Sequence, residues 1–249
     1  MHARFFAPDA HVSGDVVSLP DDEAEHLTRV LRLTRGDAIV VFNGRGLAFE
    51  ATVHRARKGG AEVLIGRPST AAPEARVAIT LVQAMLKGDK MDDVVRDAVM
   101  IGVAAIQPIV TARSEIAASS LARGRRRERW ERIAVSSAKQ CGRAVVPIVF
   151  PPEPFEAVAA FADDRQLPGP MMMLVEPRAT TAAVPLGELD GQPPREASLL
   201  IGPEGGWTPG EIEAASERCR LVTLGGRTIR GDAMALVAVA ALFAKWGEY

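Results

Sequence analysis

The spacing of hydrophobic and polar residues changes near residue 75 of the chain. Before that point, short β-rich segments are separated by turns: Ile39–Phe42 runs into Asn43-Gly44, and Ala61–Ile65 follows Gly59-Gly60. Asn-Gly and Gly-Gly pairs beside apolar runs are typical of turns between strands. We therefore predict a small β-barrel over residues 1–70.

One short helix is predicted inside this β-rich part, from Asp21 to Leu31. Leu27, Val30 and Leu31 recur at helical spacing and would form its apolar stripe. Residues 68–73 contain proline and small side chains, a composition typical of a linker.

After residue 75, predicted strands alternate with predicted helices, which is typical of a parallel sheet covered by helices. A second, α/β domain is therefore predicted over residues 75–249. Its predicted strands are Val77–Val82, Ala105–Val110, Met171–Val175, Ser198–Ile201 and Leu221–Leu224. Its predicted helices are Lys90–Ile101, Arg125–Gln140, Phe155–Phe161, Pro209–Glu217 and Asp232–Trp246.

Composition narrows the class of protein. Of the 249 residues, 47% are hydrophobic, enough for a packed core. No run approaches the roughly 18 apolar residues of a membrane span, and the first residues lack the apolar core of a signal peptide, so we expect a cytoplasmic protein. The two cysteines and four histidines have no metal-ligand spacing. We expect no metal, and any cofactor should be organic.

The formal net charge of −1 conceals two basic segments. Residues 29–67 contain eight basic and three acidic side chains, and a second basic run extends from Arg123 to Arg129. Local basic patches attract polyanions even when the whole chain is nearly neutral. The two segments therefore indicate either a nucleic-acid interface or an ordinary solvated surface.

Three short loops follow predicted strands of the second domain: Val175–Pro177, Ile201–Gly206 and Leu224–Gly226. Ligands of open α/β sheets bind beyond the carboxyl ends of the strands. Glycines in the middle loop permit close approach of a ligand to the backbone, although a tight strand-to-helix turn would explain them equally. A capping box is predicted from Thr208 to Glu211, and it would anchor this loop to a helix.

The chain resembles the RsmE family, which methylates N3 of a uridine in small-subunit ribosomal RNA. Two motifs carry most of the resemblance: Ile201-Gly202-Pro203-Glu204-Gly205-Gly206-Trp207 and Leu224-Gly225-Gly226-Arg227-Thr228-Ile229-Arg230. Further similar segments are Leu81–Ala84, Lys87–Asp92, Gln107-Pro108, Arg113-Ser114, Gln140–Arg143, Val146-Pro147, His26–Arg32 and Phe42–Gly44. The similarity therefore extends over nearly the whole chain.

The resemblance implies a PUA-like RNA-binding barrel followed by a SPOUT domain with a trefoil knot, acting as a homodimer on 16S ribosomal RNA or the small ribosomal subunit. It also implies S-adenosyl-L-methionine as cofactor, with adenine bound mainly by backbone groups. The implied cofactor residues are Val175, Glu176, Pro177, Ile201, Gly202, Pro203, Gly205, Gly206, Leu224, Gly225, Ile229 and Arg230. The candidate RNA contacts are Arg4, Arg29, Arg32, Arg123, Arg125, Arg126, Arg127 and Arg143.

Methylation of uridine N3 requires loss of a proton and stabilisation of the resulting negative charge. Our hypothesis is that Arg230 stabilises the anion, while Asp232 or Glu204 accepts the proton. An alternative for Asp232 is a purely structural N-cap of the last helix.

The sequence departs from the family pattern at Gly231-Asp232-Ala233, at Met100-Ile101-Gly102 and at Cys219-Arg220. Two alternatives therefore stay open. One is a SPOUT methyltransferase acting on another RNA position or on a ribose 2′-hydroxyl. The other is a non-catalytic RNA-binding protein of ribosome assembly.

Overall fold

The structure is a computed structural model that describes residues 3–115, 125–159 and 167–248. Its contacts divide the chain into two compact units. Unit 1 combines Met1–Glu74 with Val135–Val146, and unit 2 combines Ala75–Ala134 with Pro147–Tyr249. The sequence-based division at residues 70–75 differs in one respect, because Val135–Val146 packs with the first unit.

Unit 1 contains a five-stranded sheet with the strand order β1-β3-β4-β5-β2. The strands are β1 (Arg4–Phe6), β2 (Val16–Ser18), β3 (Ala38–Phe42), β4 (Ala48–Arg57) and β5 (Gly60–Pro68). β4 pairs antiparallel with both β3 and β5, whereas β1 lies parallel to β3. Alternating buried and exposed positions along β4 place one face of the sheet against the core. The predicted small β domain is confirmed, with β1 and β2 as the edges of its hydrogen-bonded path.

The predicted helix of unit 1 is shorter and differently wound than expected. An α-helix, α1 (Asp21–Glu25), passes directly into a π-helical turn at His26–Val30. Leu27 is fully buried, but Val30 is 64% exposed and Leu31 is 40% exposed. The predicted apolar stripe was therefore wrong for these two residues, because the wider π turn breaks the α-helical spacing.

Two ion pairs explain why residues 135–146 join unit 1. These residues form the end of helix α3 (Arg125–Cys141) and the loop after it. Lys139 donates to both carboxylate oxygens of the buried Glu23, at 2.8 and 2.9 Å. Arg143 is buried and pairs with Glu74, with Nε 3.1 Å from Oε1.

Unit 2 contains an eight-stranded sheet in which every described pairing is parallel. The strand order is β11-β13-β10-β12-β6-β7-β8, and β9 also pairs with β7. The strands are β6 (Ala78–Ala84), β7 (Ala105–Val110), β8 (Ile148–Val149), β9 (Glu153–Pro154), β10 (Met171–Leu174), β11 (Val184–Pro185), β12 (Glu196–Ile201) and β13 (Cys219–Thr223). β6 and β12 are buried along almost their whole length, as is typical of the middle of a parallel sheet.

The remaining helices are α2 (Lys90–Ile101), α4 (Phe155–Ala159), α5 (Pro209–Ser216) and α6 (Gly231–Lys245), with a 3₁₀ turn at Leu186–Glu188. The five long strands and the helices were predicted close to these bounds, except that the predicted end of α4 lies outside the described residues. The predicted α/β fold class is confirmed, and the knot stays a prediction from the resemblance. In the part of the chain that the structure describes, no helix has both the length and the apolar character needed to cross a bilayer.

Candidate active site

Three loops meet at one edge of the sheet in unit 2. They follow β10, β12 and β13, and because β10 lies between the other two strands and all three are parallel, their carboxyl ends are neighbours. The loops enclose a cavity of about 310 Å³. The loops that the sequence indicated separately therefore form one pocket.

Ten of the twelve predicted cofactor residues line this cavity. They are Val175, Glu176, Pro177, Ile201, Gly202, Pro203, Gly206, Leu224, Ile229 and Arg230. The other two, Gly205 and Gly225, lie beside the lining. Gly225 adopts a φ of +71°, which suits a glycine turn. Gly205 accepts a hydrogen bond on its carbonyl from Arg113, at 2.8 Å.

The cavity also contains residues that were absent from the predicted cofactor set. They are Lys90, Leu174, Glu204, Trp207, Arg227, Thr228, Gly231, Asp232 and Met234. Glu204 and Asp232 were expected there as catalytic groups. Lys90 begins the helix that follows β6, the neighbour of β12. Ligands of parallel sheets bind beyond the carboxyl ends of the strands, and the segment between β6 and Lys90 follows such an end. This rule would have drawn attention to Lys90.

The loop after β12 is held by contacts that require small residues. Gly206 has a φ of +67°, and its N–H donates to the carbonyl of Pro203 at 2.9 Å. A Cβ at Gly206 would lie 2.7 Å from Oε1 of Glu176. The indole of Trp207 passes close to Gly202, where a Cβ would lie 3.0 Å from Nε1. Glycine is therefore needed here for packing within the pocket wall.

Trp207 and the following capping box fix the end of this loop. The indole N–H donates to the carbonyl of Leu174 at 2.7 Å, which ties the loop to β10. The predicted capping box is present: Thr208 Oγ1 accepts from the N–H of Glu211 at 3.3 Å, and Glu211 accepts from the N–H of Thr208 at 2.8 Å.

Two ion pairs stand at the polar side of the cavity. Lys90 Nζ lies 2.7 Å from Oε1 of Glu204, and the N–H of Lys87 donates to the same oxygen at 3.3 Å. Burial by itself would raise the pKa of Glu204, but the hydrogen bond from Lys90 and the backbone donors outweigh it and lower that pKa.

Arg230 and Asp232 form the second pair. The hydrogen bond from Arg230 is the main reason that the pKa of Asp232 lies below its ordinary value. Asp232 is the second residue of α6 and accepts from the N–H of Ala233 at 3.1 Å, whereas Arg230 occupies the N-cap position. The structural alternative was therefore wrong about the N-cap itself, although the carboxylate does lie in the first helical turn, where it is favoured.

The lining combines apolar side chains, exposed backbone and carboxylates. Val175, Ile201, Leu224 and Met234 offer an apolar surface. Glu176, Glu204 and Asp232 bring negative charge, and Lys90 and Arg230 pair with the last two of these carboxylates. Such a lining suits a ligand that has both an apolar and a polar part. The described residues contain no group of three or more His, Cys, Asp or Glu arranged to hold a metal ion.

Comparison with known proteins agrees with this geometry. The family described as RNA methyltransferase domain matches residues 73–243, and the family described as RNA methyltransferase PUA domain matches residues 19–66. Ribosomal RNA small subunit methyltransferase E of a Synechocystis species is 30% identical over 225 residues, covering 90% of this chain and 71% of that protein. The chain belongs to the ribosomal RNA small subunit methyltransferase E family. The predicted family is thus confirmed.

Solved structures of the methyltransferase E family and its relatives share the fold. The enzyme of Neisseria gonorrhoeae, bound to S-adenosylmethionine, is 33% identical with a TM-score of 0.87, covering 99% of this chain and 98% of that one. A methyltransferase of Legionella pneumophila in complex with the same cofactor is 27% identical with a TM-score of 0.87, covering 98% of each chain.

The predicted RNA contacts of this methyltransferase E family member fall into different environments. In unit 1, Arg29 pairs with Glu25, and Arg32 is exposed with an unusual φ of +54°. Arg4 donates to the carbonyl of Arg143 at 3.0 Å, and burial lowers its pKa. Arg143 is only 3% exposed, so its guanidinium is engaged in the ion pair with Glu74 and does not face solvent as a phosphate contact would.

In unit 2, the described arginines of the second basic run differ in their contacts. Arg126 is exposed, whereas Arg127 donates to the carbonyl of Val149 at 3.2 Å and pairs with Glu131 at 2.8 Å. Arg123 lies outside the described residues, and only the backbone of Arg125 is described. Arg126 is therefore the residue of this run whose placement best suits a phosphate contact.

Proposed function

We propose that this chain transfers the methyl group of S-adenosylmethionine to N3 of a uridine in the 16S ribosomal RNA of the small subunit. The observation that carries the proposal is the three-loop cavity with the Arg230–Asp232 pair at its rim. Membership of the methyltransferase E family supports the substrate, and the cofactor in the two related structures supports the methyl donor.

The residues of the cavity fit this cofactor. The glycine loop after β12 offers backbone groups that no Cβ shields, and Leu224 and Ile201 provide apolar surface for adenine. Glu176 carries a negative charge that suits a cationic ligand, whereas Glu204 is already paired with Lys90. When bound, S-adenosylmethionine supplies an electrophilic methyl group on a positively charged sulfur.

Arg230 is the group that stabilises the substrate anion. Loss of the N3 proton spreads negative charge over the two flanking carbonyl oxygens of uracil. The Arg230 side chain is 76% exposed, and only its Nε and Nη2 donate to Asp232. A guanidinium has five N–H donors, so further donors are free to face a uracil oxygen.

Asp232 is the better placed of the two candidate bases. Glu204 is held by Lys90 and by the N–H of Lys87, whereas Asp232 owes its low pKa first to Arg230. When Arg230 turns toward the uracil oxygens, Asp232 loses that hydrogen bond and its pKa rises. The same movement thus stabilises the anion and makes the carboxylate a stronger acceptor for the N3 proton.

We also propose a homodimer, as the resemblance implies. Helix α6 is rich in alanine, valine and leucine and leaves Leu236 and Val237 37% and 38% exposed, a pattern that favours burial against a second copy. Light scattering after size exclusion tests this point. The proposed substrate places the protein in the cytoplasm, where ribosomal subunits are assembled.

Nucleoside mass spectrometry of 16S ribosomal RNA tests the activity. RNA and small subunits from a strain lacking the gene should gain 3-methyluridine when incubated with the protein and S-adenosylmethionine, and titration calorimetry should detect cofactor binding. Appearance of a 2′-O-methyl nucleoside instead would identify the ribose alternative. RNA binding without cofactor binding would identify the non-catalytic one.

A further inference from the structure

The turn that follows β7 is clasped to the loop after β12. Arg113, in this turn, uses one nitrogen, Nη1, to donate to two backbone carbonyls, that of Gly205 at 2.8 Å and that of Trp207 at 3.1 Å. Both carbonyls belong to the loop that walls the cavity, yet Arg113 itself is not among the lining residues. Arg113 therefore holds the loop from outside the cavity.

Gly205 lacks a side chain at the point where Arg113 passes. A Cβ at Gly205 would lie 3.2 Å from Cβ of Arg113 and 3.4 Å from its Cδ, a tight contact. Gly205 does not adopt a positive φ, so backbone conformation does not require glycine there. The requirement is the space taken by the arginine side chain.

A second tether holds the same two segments together. The N–H of Ala112 donates to Oε1 of Glu211 at 2.8 Å, while Oε2 of Glu211 completes the capping box with Thr208. The turn is itself braced, because the N–H of Thr111 donates to Oγ of Ser114 at 3.2 Å. Arg113 thus projects from a fixed support.

We propose that Arg113 is a positioning residue for the cofactor site, and that Gly205 is glycine to admit Arg113 rather than the ligand. The inference rests on the proposed function. By binding the carbonyls of Gly205 and Trp207, Arg113 keeps the loop in the shape that the ligand needs. Because the loop is already ordered, cofactor binding does not incur the conformational-entropy cost of ordering it, and the affinity is higher.

Titration calorimetry with S-adenosylmethionine tests the inference on the full-length protein. Arg113→Ala should weaken cofactor affinity on the order of tenfold, because a charged donor to two carbonyls is lost. Gly205→Ala should weaken it similarly by displacing the arginine. The double variant should bind no more weakly than the weaker single variant, since both changes remove one interaction. Arg113→Lys should recover part of the affinity.

Arg220→Ala is the matched control, because it removes an exposed arginine of the same unit that lies on β13 and does not line the cavity. It should leave the cofactor Kd unchanged, and thermal unfolding should verify that every variant is folded. An unchanged Kd in Arg113→Ala, or a raised KM for RNA alone, would overturn the positioning role. If the two losses of cofactor affinity were additive in the double variant, the explanation that Gly205 leaves room for Arg113 would be overturned. Absence of cofactor binding by the unaltered protein would instead defeat the proposed function.

Discussion

Arg230 and Asp232 face each other through two hydrogen bonds, with Nε 3.1 Å from Oδ1 and Nη2 2.7 Å from Oδ2. The two residues are separated by Gly231 alone, at the start of α6. A Cβ at Gly231 would lie 3.3 Å from Cδ2 of Leu86, so the chain turns there in close contact with the loop after β6. The backbone that carries the pair is consequently held close to this loop at the rim of the cavity.

The first prediction concerns the carboxylate of this pair. Asp232→Asn keeps the shape of the side chain but removes its capacity to accept a proton. Turnover should fall on the order of a hundredfold, a typical loss for a general base. Cofactor Kd, measured by titration calorimetry, should change little.

Asp232→Glu provides the matched control, because it keeps the carboxylate and its charge. It should retain most of the turnover of the unaltered protein. Equal turnover in Asp232→Asn and the unaltered protein would remove Asp232 from the mechanism and leave Glu204 as the candidate base.

The second prediction concerns the protonation of Glu204. The pKa of this carboxyl lies below its ordinary value of 4.5, because the hydrogen bonds it accepts outweigh its burial. Its ion pair therefore stabilises the fold above the pKa of the unfolded chain, and this contribution is lost as the pH falls through the lower folded pKa. Lys90→Met removes both the side-chain hydrogen bond and the charge by which Lys90 lowers the pKa of Glu204, so this pKa should move upward. Carbon NMR of the labelled side-chain carboxyl measures the shift.

Arg96→Met is a suitable control for this titration, because Arg96 also lies on α2 but pairs with Asp93 and Asp97 instead. It should leave the titration of Glu204 where it is. A midpoint unchanged by Lys90→Met would show that the backbone donors alone govern this carboxyl.

Most of the fold was accessible from the sequence because its signals are local. The long strands of unit 2 are mostly apolar segments, and the capping box lies within four consecutive residues, Thr208 to Glu211. The two-residue strands β8, β9 and β11 escaped prediction, because so short a segment has no period. The exposure of Val30 was not predicted either, because apolar spacing alone does not reveal a π-helical turn.

In the candidate site too, features with a local signal were predictable from the sequence, whereas contacts between distant residues were not. The three glycine-containing loops follow predicted strands, so their meeting could be inferred from the topology of a parallel sheet. The pairing of Lys90 with Glu204 and the burial of Arg143 against Glu74 join residues far apart in the chain. The sequence does not reveal such partners, so the prediction of Arg143 as an RNA contact could not take its pairing with Glu74 into account.

The third prediction concerns Cys219. Burial raises the pKa of its thiol to about 11, so only about one molecule in a thousand carries the reactive thiolate at pH 8. In the native protein, a disulfide reagent such as dithionitrobenzoate should therefore label Cys141→Ser extremely slowly. The same variant should release one equivalent of chromophore after denaturation. Rapid labelling of the native variant would contradict the burial of this residue.

The last prediction concerns Arg227, an exposed residue that lines the cavity. Within the described residues, Lys90 and Arg230 pair with carboxylates there, whereas Arg227 has no carboxylate within 4 Å. An exposed cation beside the proposed base-binding site is suited to a phosphate of the bound RNA strand. Arg227→Ala should raise the KM for RNA and leave the cofactor Kd unchanged.

The salt dependence of RNA binding separates this contact from a general loss of positive charge. For a single-stranded target, removal of one phosphate contact should reduce the slope of log K against log salt by about 0.7. Arg220→Ala removes the same charge from the surface of β13 and should leave the slope unaltered. If both variants changed the slope equally, Arg227 would contribute only to the overall field. If Arg227→Ala weakened cofactor binding instead, the anion that it binds would be the carboxylate of S-adenosylmethionine.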